Sequence, residues 1–186
     1  MATYTYQFNI TPVNDAPTAV NDVRTATEDT PVNYNLRSND TDIDGTGETL
    51  THNTWTQPTN GIVTQSGVFL NYAPTLNYCG ADSFTYTIKD QNNAVSNTGT
   101  VTITVSCVND APVVVDDTSS IAQSGTGFIA ATSNDTDADT GDIRTISGFT
   151  LPINGSIVKT ATGFIYTANA TFCGVDTFTY SVTDTG

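Results

Sequence analysis

Apolar and polar residues alternate one by one along most of this chain. Phe84-Thr85-Tyr86-Thr87-Ile88, Val101-Thr102-Ile103-Thr104-Val105 and Phe178-Thr179-Tyr180-Ser181-Val182 place aromatic or branched residues on one face and Thr or Ser on the other. That is the period of a strand with one buried side. No window keeps the helical period for more than two turns. The pattern predicts an all-β chain whose strands are bounded by Asn, Asp, Gly and Pro clusters.

The strands recur as a set. Val13-Asn14-Asp15-Ala16-Pro17 returns 95 positions later as Val108-Asn109-Asp110-Ala111-Pro112, and Asn39-Asp40-Thr41-Asp42 returns at the same shift as Asn134-Asp135-Thr136-Asp137. Cys79-Gly80-Ala81-Asp82-Ser83-Phe84-Thr85-Tyr86 matches Cys173-Gly174-Val175-Asp176-Thr177-Phe178-Thr179-Tyr180 after one deletion. A period near 95 residues is a whole sandwich rather than a solenoid turn. The phase is offset, because Tyr4–Thr11 aligns with Gly99–Ser106. The expected organisation is therefore residues 1–12 as the last strand of a preceding repeat, 13–107 as a complete β-sandwich, and 108–186 as a second sandwich without its final strand.

Composition narrows the possible partners. The 186 residues carry a formal net charge of −14, with five Lys plus Arg against nineteen Asp plus Glu. Long-range repulsion then opposes nucleic acid and anionic lipid. No apolar run reaches transmembrane length, and the first residues do not read as a signal peptide. Asp far outnumbers Glu, and the acids gather in Asn/Asp/Gly/Thr stretches, where short carboxylates can surround a hard cation.

Three strings occurring twice in the same order carry a resemblance over nearly the whole chain: Val-Asn-Asp-Ala-Pro, Asn-Asp-Thr-Asp-x-Asp, and Gly-x-Asp-Ser/Thr-Phe-Thr-Tyr. The chain resembles the cadherin-like and bacterial immunoglobulin-like tandem repeats of large surface adhesins and RTX-type secreted proteins. The resemblance implies two tandem Greek-key β-sandwiches, calcium at inter-repeat junctions and loop ends, an extracellular or cell-surface location, and a non-catalytic role in adhesion or as a stiff stalk.

The residues offer specific calcium ligands. Asp40, Asp42 and Asp44 alternate along one loop and are followed by Gly45, which permits a sharp turn. The second copy keeps Asp135, Asp137 and Asp139 but has Thr140-Gly141-Asp142 after them, so its geometry is expected to differ. The loop is no EF-hand, since Thr51 stands where Glu is needed. A solvated turn is the alternative reading; recurrence favours Ca2+. At the junctions, Asp15 and Asp22, and then Asp110 and Asp117, flank an Ala-Pro that forces extended backbone. Calcium bridging them would freeze the angle between neighbouring repeats. Glu28 joins the first set if its strand end points at the junction, whereas the second copy has Gln123 and Ser124 there. The alternative is that these acids only guard strand ends against edge pairing.

An extracellular chain with three cysteines is expected to hold a disulfide. Cys79 and Cys107 fall at the same end of one predicted hairpin, although facing Phe84 and Val101 inward gives paired numbers an odd sum while 79 and 107 sum to an even one. A bend at Gly80 removes the conflict. The alternative is three small buried thiols. Cys173 has no partner in reach. His52, the single histidine, is expected at the surface and excludes multi-histidine zinc sites. Asp82 and Asp176 lie in separate repeats, too far apart to act on one sugar, and are expected to bond a turn or a cation. Trp55 with the tyrosines is a weaker candidate for a glycan platform.

Three functions compete: a calcium-stiffened adhesin segment whose partners are neighbouring repeats and a surface glycan or protein receptor; a self-assembling fibre subunit; and a spacer or glycan-binding module of a secreted polysaccharide-degrading enzyme. In the second, Tyr6, Phe8 and Ile10 of one copy complete the open edge beside Phe178, Tyr180 and Val182 of the next.

Overall fold

Alternation becomes pairing in the computed structural model, which describes residues 1–11, 13–44 and 49–186. Gly45, expected to close the first acidic loop, lies outside the described residues. The chain divides into two units, Met1–Val108 and Asn109–Gly186.

The first unit has seven strands: β1 (Asp22–Thr27), β2 (Val32–Tyr34), β3 (Thr51–Trp55), β4 (Gly61–Ser66), β5 (Phe69–Pro74), β6 (Gly80–Lys89) and β7 (Gly99–Ser106). They form a four-stranded sheet in the order β1-β7-β6-β3 and a three-stranded sheet in the order β2-β5-β4. All described pairs are antiparallel except β1 beside β7, which run parallel from Asp22 opposite Val101 to Thr27 opposite Ser106. The strands bury every second residue. Phe84, Tyr86 and Ile88 of β6 and Val101, Ile103 and Val105 of β7 meet Tyr34, Leu36, Val63, Leu70 and Tyr72 in one core, and the Thr residues between them face out.

The second unit repeats part of this plan with β8 (Thr126–Ile129), β9 (Thr145–Phe149), β10 (Gly155–Lys159), β11 (Phe164–Ala168) and β12 (Tyr180–Thr183). They make one sheet in the order β10-β11-β8 and one in the order β12-β9. By the repeat alignment these strands correspond to β2 through β6. Among the described residues none corresponds to β7, and the consequences follow from hydrogen-bond supply. In the first unit β1 pairs only with β7, and the first half of β6, Gly80–Phe84, pairs with β7 but not with β3. Residues 117–122 and 174–179, which match those segments, form no strand. The fully buried apolar core shrinks with them, to Ala131, Ile146 and Phe164, with Ile157, Phe178 and Tyr180 packed partly buried against it.

Residues 1–11 form no strand in this structure, and Tyr6, Phe8 and Ile10 are exposed. No helix among the described residues is long and apolar enough to cross a membrane.

Candidate functional site

Each unit receives its entering chain on its own acidic loop, through the same bonds. In the first, Thr18 and Thr41 exchange backbone hydrogen bonds of 2.7 and 3.1 Å. The Asp15 N–H donates to Asp44 Oδ2 at 2.6 Å, the Asp44 N–H to Asp42 Oδ1 at 3.0 Å, and the Val20 N–H to Asp40 Oδ1 at 2.8 Å. In the second, Val113 and Thr136 exchange bonds of 2.8 and 3.0 Å. The Asp110 N–H donates to Asp139 Oδ2 at 2.6 Å, the Asp139 N–H to Asp137 Oδ1 at 3.0 Å, and the Val115 N–H to Asp135 Oδ1 at 2.9 Å. An Asp that accepts from the N–H two residues on makes a self-supporting turn, which is why Asp-x-Asp-x-Asp holds its shape without a helix or strand.

The carboxylate oxygens left over fit a cation. Asp42 Oδ2 in the first loop is buried without a hydrogen-bond partner, beside an open groove of about 570 Å³ lined by Asp15, Ala16, Thr18, Thr41 and Ile43. In the second unit Asp137 Oδ2 and Asp142 Oδ2 are buried in the same way. Asp137, Asp142 and Asp184 each bring a carboxylate oxygen to within 4.8 Å of the other two, a spacing that one Ca2+ with bonds of about 2.4 Å can span. Buried carboxylate oxygens without donors are costly, and a divalent ion satisfies several at once.

Sequence reasoning did not list Asp142 or Asp184. Their signals were present: Asp142 follows the displaced Gly141, and Asp184 falls at the repeat position of Asp90. The two positions do different work. Asp90 accepts from Asn14 Nδ2 at 2.7 Å and from the Ala94 N–H at 2.8 Å, and the Asn14 bond holds its carboxyl below the usual carboxylate range.

Four of the expected ligands gather instead beside two tyrosines, one pair in each unit. The Tyr86 hydroxyl lies 3.0 Å from Asp22 Oδ2, from Asp40 Oδ1 and from the Val20 carbonyl, so one proton faces three acceptors. Arg24 completes the group with a 2.7 Å ion pair to Asp22 Oδ1. Burial raises the carboxyls of Asp22 and Asp40 above their ordinary values, against the lowering effect of the bonds they accept. It also pushes the Tyr86 hydroxyl up, helped by the two carboxylates. The second unit builds the same cluster: Tyr180 donates at 2.8 Å toward Asp117 Oδ2 and at 2.7 Å toward the Ala131 carbonyl, while Asp135 stays buried with Oδ2 unpartnered. The cluster ties the start of β1, the short turn Leu36–Ser38 that precedes Asp40, and β6 to one atom. Tyr86→Phe is expected to destabilise the first unit by about 1–3 kcal/mol, because it strips a donor from buried carboxylates. Chemical unfolding followed by the fluorescence of Trp55 measures this; an unchanged midpoint would show that the hydroxyl ties nothing.

Other predicted residues go elsewhere. Glu28 is buried and accepts from the Val108 N–H at 2.5 Å, and the six residues of β1 put it about 20 Å from Asp22. It therefore serves the exit of the first unit and not the loop of Asp15, Asp40, Asp42 and Asp44. Asp82 accepts from the N–H groups of Thr59, Asn60 and Ser83 and from the Tyr72 hydroxyl, and Asp176 repeats the pattern with Ile153, Asn154, Thr177 and Tyr166. Both are turn anchors. His52, expected at the surface, is 7% exposed: it holds an inward position on β3 opposite Ile88 and meets the Tyr86 ring edge-on. Burial lowers its pKa to about 4, so it sits there neutral. Trp55 is half-buried against the core and donates to the Val63 carbonyl, which removes it as an open sugar platform. Cys79 and Cys107 form a disulfide, and Cys173 is free and exposed. Gly80, at φ 136°, supplies the bend that the pairing requires.

Four and three strands in two facing sheets, with the first strand parallel to the last, make the first unit an immunoglobulin-type sandwich, and the second unit repeats its inner strands. The chain belongs to the Bacterial Ig domain family, whose model matches residues 14–104 and 109–186. No curated protein matches it. Among solved structures, it is similar to an endo-fucoidan hydrolase of glycoside hydrolase family 107, at 18% identity over 98% of this chain and 29% of that one, with a TM-score of 0.39. It is also similar to the human desmocollin-1 ectodomain, at 12% identity over 91% of this chain and 36% of that one, with a TM-score of 0.45. Drosophila N-cadherin gives 16% identity over 80% of this chain and 39% of that one, with a TM-score of 0.46. The chain thus spans well under half the length of each.

Proposed function

We propose that this chain is a calcium-binding, non-catalytic stretch of a bacterial surface protein, in which tandem sandwiches form a stiffened stalk that carries an adhesive function away from the cell. The observation that supports this most is the repeated seating of the entering chain on the Asp-x-Asp-x-Asp loop, with carboxylate oxygens left buried and unpartnered beside it. Calcium at Asp137, Asp142 and Asp184 would bind the acidic loop to the segment after β12, and calcium at Asp42 would hold the chain entering the first repeat. Each ion would remove slack from one end of a sandwich.

Extracellular modules bind calcium with dissociation constants on the order of 10⁻⁴ to 10⁻³ M. A few millimolar calcium should then stabilise the second unit by about 1–2 kcal/mol, which raises its melting temperature by roughly 5–10 °C. Thermal unfolding in calcium and in chelator, followed by tyrosine circular dichroism, tests this. Asp142→Asn should abolish the response of the second unit and leave the Trp55 signal of the first as it was. No response of either unit to calcium would overturn the proposal.

A further inference from the structure

The sheet that ends in β4 in the first unit ends in β10 in the second, and only the first of these edges is covered. Val63 of β4 turns its backbone away from β5, and the Gln57 side chain takes both groups. Gln57 Nε2 donates to the Val63 carbonyl at 2.9 Å, and the Val63 N–H donates to Gln57 Oε1 at 2.8 Å. Trp55 Nε1 donates to the same carbonyl at 3.2 Å. By the repeat alignment Val63, Gln57 and Trp55 become Ile157, Leu151 and Phe149, and the hydrocarbon side chains of Leu151 and Phe149 can neither donate nor accept. The Asn169 N–H bonds the Asn154 carbonyl, so Asn154, Ser156 and Val158 direct their backbone groups toward β11, and Gly155, Ile157 and Lys159 direct theirs to the open side. The edge belongs to the fold, since β4 ends its sheet in the seven-stranded unit as well. The outward face differs in the same way. Asn33, Asn71 and Thr64 form a polar row across β2, β5 and β4, tied by a 3.0 Å bond from Asn71 Nδ2 to Asn33 Oδ1. The matching row across β8, β11 and β10 is Phe128, Ile165 and Val158, which are 53%, 39% and 62% exposed.

We infer that the β10 edge pairs antiparallel with the β10 edge of a second copy of this chain, about a two-fold axis at Val158, so that two three-stranded sheets become one of six. In that register Ile157 exchanges backbone bonds with Lys159 of the second copy, and Val158 meets Val158 of the second copy. The exposed row then runs unbroken from Phe128, Ile165 and Val158 into the same three residues in reverse order. Charge selects a second copy as the occupant. Two chains of net charge −14 repel over most of their surface, whereas β8, β10 and β11 hold no Asp or Glu and one Lys. That residue, Lys159, is of the kind that guards an edge against pairing, but its Nζ is turned onto the Ile146 carbonyl of β9, off the line where the backbones would meet. Each copy offers the same surface, so association is isologous and stops at two. One strand edge buries much less than the roughly 800 Å² per partner of a standard interface, so the dimer is weak and forms between about 10 μM and 1 mM.

Sedimentation equilibrium of the 186-residue chain over that range, in chelator, tests the inference. Cys173→Ser is used as the background, so that the exposed thiol cannot link two copies. The mean mass should climb from monomer to dimer and stop there, and the amide protons of Ile157 and Lys159 should exchange more slowly as the concentration rises. Leu151→Gln restores the side chain that closes the edge in the first unit, and Val158→Asp sets two carboxylates face to face across the axis. Each should move dimerisation to at least roughly tenfold higher concentration. Leu151 and Val158 are 72% and 62% exposed, so the tyrosine circular dichroism melt of the second unit should stay as it was in both variants. A monomer at every concentration overturns the inference, and so does growth beyond the dimer or a dimer that either variant leaves as strong.

Discussion

Phe164→Ala is expected to unfold the second unit near room temperature while the first keeps its structure. Phe164 is completely buried, and the rings of Phe149, Phe178 and Tyr180 stand 5.3, 5.0 and 6.0 Å from its own. It joins the two sheets of that unit, since β11 carries it and β9 and β12 carry Phe149 and Tyr180. Removing a buried phenylalanine costs about 3–5 kcal/mol. That is most of the stability of a domain at the low end of the usual range of about 5–15 kcal/mol, where so small a core places this one. Only Ala131 and Ile146 would remain fully buried beside it, too little to re-form a core. In the first unit, thirteen buried residues share the same task. The two outcomes separate cleanly because Trp55, the single tryptophan, reports on the first unit alone. Amide spectra should lose the dispersed signals of residues 109–186 with Trp55 fluorescence unchanged. A second unit that stays folded would mean that the aromatic cluster is dispensable.

The strands and the repeat were legible in the sequence because period-2 alternation is a local signal. Phe84-x-Tyr86-x-Ile88 announces its own buried face. The Asp-x-Asp-x-Asp turn was legible for the same reason, since its middle Asp bonds the N–H two residues on. What could not be read is convergence between distant segments. The Tyr86 hydroxyl meets Asp22 and Asp40 from positions 64 and 46 residues apart, and nothing local marks Tyr86 as more than one inward residue among several. The end of the sandwich that Glu28 serves was left open because β1 lies parallel to β7. A parallel pair is fixed by the crossover between its strands and not by a turn whose residues can be recognised, so which end of β1 faces the entering chain was open. His52 stands among Thr51, Asn53 and Thr54, polar neighbours that hide an inward position. Asp184 joins Asp137 and Asp142 only once β12 lies beside β9.

Breaking the disulfide should cost the first unit about 3–4 kcal/mol and leave the second untouched. Cys79 and Cys107 are 28 residues apart, and on the loop-entropy account a closure of that length removes about that much freedom from the unfolded chain. The bond also sits where the sheet has most to lose. Cys79 precedes β6 and Cys107 follows β7, the two central strands that supply Phe84, Tyr86, Ile88, Val101, Ile103 and Val105 to the core. Fraying from that end would release the edge strand β1 too, because among the described residues β7 is its only strand neighbour. Cys79→Ser with Cys107→Ser, or a reductant acting on the unaltered chain, should lower the Trp55 melting transition by roughly 15–25 °C. Cys173→Ser is the control: its thiol is free and exposed, so neither transition should move. A drop of a few degrees or less in the double variant would mean that the packing of β6 against β7 already holds this end of the sandwich closed in the unlinked chain.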